Sequence, residues 1–110
     1  MLNTYPYTTP TDRVLADTAE AGAPRLTLSL WAKAAIRHAS LLREELRRER
    51  RIAELVPWHR PAAERAEERA SAALWHARIA YDSSVRGDSS RCLLAAQSTG
   101  VPQEALFVVL

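Results

Sequence analysis

The chain has 110 residues, of which 47% are hydrophobic and 25% charged, and its formal net charge is +2. That length holds one small domain, and 15 basic against 13 acidic residues set up no strong field that would demand a polyanionic partner. The lone cysteine, Cys92, excludes an internal disulfide and a cysteine-rich metal site, and suits a reducing compartment.

Residues 1–10, with Pro6 and Pro10, read as an extended arm. Thr11 is the expected N-cap of a short helix over 11–21, with Asp12 in its first turn, and Gly22 and Pro24 end it. A long helix is predicted over 28–56. Its apolar positions are Leu28, Trp31, Ala35, Ala39, Leu42, Leu46, Ala53 and Val56; early steps of three and four put them on one face. Pro57 stops it. A second long helix, 61–82, opens on Pro61, a residue suited to the first helical position. Ala63, Ala66, Ala70, Ala73, Ala77 and Ala80 repeat along it in the same steps, and we place Leu74 and Tyr81 on that side too.

Ser83 to Gly87 reads as a loop. Asp88 or Ser89 then caps a third helical region, supplied with apolar content by Cys92, Leu93, Leu94 and Ala95 and ended by Gly100. Pro102 opens a last short helix, Gln103 to Leu110, whose Val, Leu and Phe content leaves a strand as the alternative. The expected fold is therefore all-α: a long antiparallel helical hairpin, with a short N-terminal helix and a C-terminal helix-turn-helix-like segment, 89–110, packed along it in a single domain. Folding at Trp58 brings together residues whose numbers sum to about 116. Leu42 then faces Leu74, Leu46 faces Ala70, Ala39 faces Ala77, Ala35 faces Tyr81 and Ala53 faces Ala63. Alanine lets the axes approach near the short end of the usual ~8–10 Å, and a seam so narrow is expected to enclose no pocket.

The run Arg43-Glu44-Glu45-Leu46-Arg47-Arg48-Glu49-Arg50-Arg51 is the densest polar feature. Arg47, Arg48, Arg50 and Arg51 could reach a nucleic-acid backbone. The acids between them would repel phosphates and fit better a solvated face held by pairs such as Glu44 with Arg48, or by pairs across to Glu64, Glu67 and Glu68. Residues Ala95 to Leu106, with an early alanine, a glycine five residues later and apolar residues after the turn, resemble the turn of bacterial helix-turn-helix regulators. That resemblance implies DNA reading by residues 89–110. The segment that would enter the groove, Gln103 to Leu110, is mostly apolar and carries no basic residue, whereas base readout needs outward polar side chains.

His38 and His76 stand at similar distances from the bend, yet no Asp, Glu or Cys joins them at helical spacing, so neither a metal nor another cofactor is expected. Arg86-Gly87-Asp88 spells an integrin-type tripeptide, but glycine turning the backbone and aspartate capping the next helix account for it. No nucleophile, base and orienting group converge, and three unclustered glycines make no phosphate-cradling loop. We therefore expect no enzyme and no small-molecule substrate. Trp31 falls on the buried stripe and Trp58 at the turn. Trp75, at the edge of the stripe, and the apolar tail Leu106, Phe107, Val109 and Leu110 are the candidates for protein contact.

Lys33 is the only lysine, all other basic residues being arginine, as expected of a GC-rich bacterial or phage genome. The first residues show no basic-then-apolar leader, and no uncharged apolar run approaches the ~20 residues that span a bilayer. The sequence expectation is a cytoplasmic helical adaptor, regulator or assembly subunit that binds a protein partner or itself. No membrane partner is expected, and nucleic-acid binding is the alternative.

Overall fold

The computed structural model of the protein describes residues 10–107, with the backbone alone for Pro10 and Thr11. The chain runs α1 (Pro10–Glu20), α2 (Arg25–Leu55), a 3-10 turn (Pro57–His59), α3 (Arg60–Arg86), α4 (Ser89–Ser98) and a second 3-10 turn (Gln103–Ala105). No strand occurs among the described residues. The fold is all-α: α2 and α3 form the antiparallel hairpin, α4 lies across both, and α1 rests mainly on α4. The body measures 51 × 33 × 20 Å.

The helix boundaries follow from backbone chemistry. Thr11 lies inside α1 rather than capping it, because the helix already starts at Pro10; residues 1–9 of the expected arm lie outside the described residues. α2 starts three residues before the first periodic apolar position. The Pro24 carbonyl accepts the first helical bond from Leu28 N at 3.1 Å, so Arg25, Leu26 and Thr27 already wind. At Val56 the chain turns extended, φ −128° and ψ 92°, and Pro57 offers no donor to continue the helix. Two 3-10 bonds, His59 N to the Val56 carbonyl at 2.9 Å and Arg60 N to the Pro57 carbonyl, carry the chain round the bend.

α3 continues through the expected loop to Arg86, since neither serine there breaks it; Ser84 Oγ donates to the Tyr81 carbonyl at 2.7 Å. Gly87, at φ 76°, ends it. Its N–H reaches the Ser84 carbonyl at 3.3 Å, and the Asp88 N–H reaches that of Ser83 at 2.9 Å. This is the paired-bond termination that favours glycine at the left-handed position. Asp88 then caps α4, its carboxylate accepting from Arg91 N at 3.2 Å.

The hairpin register agrees with the sequence expectation. Arg50 pairs with Glu67 at 3.1 Å and Arg69 with Glu45 at 3.2 Å across the two helices. Both pairs hold the offset that sets Leu46 beside Ala66 and Ala70. The main core lies on the α4 side of the hairpin. Trp31, Leu28, Leu15, Cys92, Leu93 and Leu106 fill it against the alanines of α2, α3 and α4. Two polar links tie the layers: Ser89 Oγ accepts from Ala23 N at 2.9 Å, and Cys92 Sγ donates to the Leu28 carbonyl at 3.7 Å. Among the described residues no helix is long and apolar enough to cross a membrane.

Candidate functional site

The hairpin has two faces, and among the described residues only one is covered by other elements. On α2, Ile36, Ser40 and Arg43 follow one another at steps of four and three; on α3, Ser71, Leu74, Arg78 and Tyr81 do so at three, four and three. Such spacing keeps each set on one side of its helix. The two sets flank a floor of Ala39, Ala70, Ala77 and Leu46, and together they bound a groove of ≈ 530 Å³. No residue of α1 or α4 lines it. Ala39 and Ala77 also belong to the buried core, so the groove lies across the seam from α4.

The expectation that an alanine seam encloses nothing does not hold, and the reason is side-chain length. Alanine on the floor and serine at positions 40 and 71 bring the helices close while filling little of the space above the contact. The larger side chains stand on the rim. Ile36 is 42% exposed, Leu74 41% and Tyr81 57%, so Leu74 and Tyr81 do not occupy the seam positions assigned to them opposite Leu42 and Ala35. The second stripe, Ile36-Ser40-Arg43 facing Ser71-Leu74-Arg78-Tyr81, was the available sequence signal, and the alanine periodicity obscured it.

The charges on this face are unevenly matched. Neither Arg43 nor Arg78 is paired with a carboxylate among the described residues, while four acids of the hairpin are engaged with other arginines. Glu44 holds Arg47 at 2.6 Å, Glu45 holds Arg69, Glu67 holds Arg50, and Asp82 holds Arg86 at 3.1 Å. The groove lining contains no Asp, Glu or His. Its three hydroxyls therefore have no base beside them, and the groove offers apolar surface framed by two free guanidinium groups. Among the described residues no cluster of three or more metal-ligating side chains exists. His38 faces the turn after α4, where a Cβ built on Gly100 would sit 3.7 Å from its Nε2. His59 pairs with Glu49 near the bend.

The remaining candidates separate. Leu106 is fully buried in the chain's own core, and Phe107 is exposed; Val109 and Leu110 lie outside the described residues. Trp75 stands exposed on α3 without lining the groove. The four arginines considered for phosphate contact, Arg47, Arg48, Arg50 and Arg51, are all exposed, and Arg47 and Arg50 are also held in ion pairs. The expected helix Gln103 to Leu110 is, within the described residues, a single 3-10 turn ending at Ala105. At the bend, Leu55 and Trp58 are 85% and 83% exposed. No protein-family description, characterised protein or solved structure with which the chain was compared matches it.

Proposed function

We propose that this protein is a non-catalytic helical binding module that acts through protein–protein contact, with the α2–α3 groove as its interface. The observation that carries this reading is the groove itself: an apolar trough of ≈ 530 Å³ on the face of the hairpin opposite α4, bounded by Ile36, Leu74 and Tyr81. Large side chains held on a rim over a small-residue floor present the kind of concave, preformed apolar surface on which a partner's anchors gain binding energy. With no carboxylate or imidazole in the lining, the groove suits holding rather than reacting.

Site-directed photo-crosslinking in the native host tests this. A benzoylphenylalanine at position 71 should yield one discrete protein adduct, and Leu74→Asp should remove it. Adducts to nucleic acid, or no adduct while the same probe at exposed position 58 gives one, would replace this reading with another surface.

A further inference from the structure

The occupant of the groove can be described more closely, on the understanding that this step rests on the reading above. We infer that the groove receives an amphipathic helix of a partner protein, with carboxylates on both flanks of its apolar stripe. Length is the first argument. The lining runs from Ile36 to Leu46 on α2 and from Ala70 to Tyr81 on α3, which at ~1.5 Å per residue is about 15 Å of trough, or about three helical turns. An open trough of that length between two helices fits side chains spaced at i, i+3 or i+4, and i+7.

Charge is the second argument. Arg43 and Arg78 stand on opposite walls. The register fixed by the Arg50–Glu67 and Arg69–Glu45 pairs sets Arg78 opposite a point near His38, so the two guanidinium groups are offset by about five residues, roughly 7–8 Å, along the trough. A helix whose apolar stripe lies on the floor presents its flanking g and following e positions with that same five-residue offset and on opposite sides. Carboxylates there would meet both arginines.

A second copy of this chain fits poorly. Its own groove would bring another Arg43 and Arg78 into the same apolar space, and its lining supplies no carboxylate to meet them. Like charges desolvated together oppose association. A small molecule is also a poorer match, because such sites enclose most of their ligand, and here the walls remain open to solvent.

Two synthetic helices about three heptads long, both with leucine at the a and d positions, make the test. One carries glutamate at the g and e flanks, and the other carries lysine. Fluorescence anisotropy at low salt should show the glutamate helix binding at least about tenfold tighter, with the gap closing as salt rises. The double variant Arg43→Glu, Arg78→Glu should reverse the preference. Ser40→Trp, at an exposed position, should block binding while leaving the circular dichroism spectrum unchanged.

Equal binding of both helices that Ser40→Trp abolishes would keep the groove as an interface and overturn the acidic partner. Binding of the glutamate helix that Ser40→Trp leaves intact would place the contact elsewhere and overturn the inference. Failure of both helices together with a dimer, by sedimentation, that Ser40→Trp dissolves would make the occupant a second copy. Failure of both helices with a monomeric protein would remove the groove reading as well.

Discussion

The indole N–H of Trp31 donates to the carbonyl of Leu106 at 2.7 Å, a buried bond between residues 75 apart in the chain. It fastens the segment after α4 to the start of the hairpin. The second 3-10 turn spans three residues, too few to hold a place by its own backbone bonds. Leu106 fills the core beside Trp31, and the bond satisfies both an indole donor and a carbonyl that the turn leaves free. α4 and this turn together close one face of the hairpin, and the opposite face keeps its groove.

Removing that link should loosen the C-terminal segment ahead of the hairpin. Trp31→Phe deletes the donor and leaves the carbonyl of Leu106 unsatisfied, at a cost of about 1–3 kcal/mol. Leu106→Ala should cost about 2–5 kcal/mol through the cavity it leaves. Because the two residues touch, the double variant should cost less than the two separate losses combined. Urea midpoints measure all three, and full additivity would mean that the Trp31 and Leu106 side chains do not pack as one unit.

The alanine seam should be intolerant of size in a position-dependent way. Ala35 and Ala80 are fully buried where α2 and α3 meet the core, while Ala72 faces solvent on the same hairpin. Ala35→Leu and Ala80→Leu should each destabilise by about 1–3 kcal/mol through overpacking. Ala72→Leu should stay within about 0.5 kcal/mol of the parent. Thermal melts of the three variants distinguish the positions, and equal melting temperatures would mean that the helices are farther apart than described.

The hairpin was legible because its signals are local and periodic. Pro57 and Pro61 punctuate one stretch, and alanines at steps of three and four run away from it on both sides, so direction and register follow from counting. The groove was not legible by the same means. Leu74 sits one residue after Ala73, about 100° further round the helix, and whether that places it in the seam or on the rim depends on which side α4 docks. Docking of α4 is set by Trp31, Cys92 and Leu106 meeting across more than sixty residues of chain, which no local pattern encodes. The tail misled for a related reason. Gln103 to Leu110 has enough Val, Leu and Phe for a helix or a strand, and within its described part, up to Phe107, burial of Leu106 under Trp31 accompanies a short turn instead.

Two buried hydroxyls should be dispensable. Thr27 Oγ1 and Ser83 Oγ are enclosed with no hydrogen-bond partner among the described residues, and an unsatisfied buried polar atom costs about 1–3 kcal/mol. Thr27→Val keeps the shape and removes the cost, as does Ser83→Ala with a slight loss of volume. Each should raise the unfolding free energy by about 1 kcal/mol. A loss of stability in both would show that the two hydroxyls are hydrogen-bonded in solution.

Stability should also fall at alkaline pH through Cys92. Burial of the thiol, reinforced by the negative charge of Asp88, pushes its pKa up to about 11, against ~8.5 for an exposed cysteine. The folded chain therefore keeps the proton at a pH where the unfolded chain has released it, and the unfolded state binds fewer protons through that window. By linkage, the contribution is complete below about pH 8.5 and declines as pH rises toward about 11. Urea midpoints across that range should fall more steeply for the parent than for Cys92→Ala, which lacks the titrating group. Labelling by a thiol reagent near neutral pH should be slow until denaturant is added, since the buried thiol forms little thiolate. Parallel slopes for the two proteins, or rapid labelling of the folded one, would show that Cys92 is open to solvent and that α4 does not seal the core against α2 as the 3.7 Å contact to Leu28 indicates.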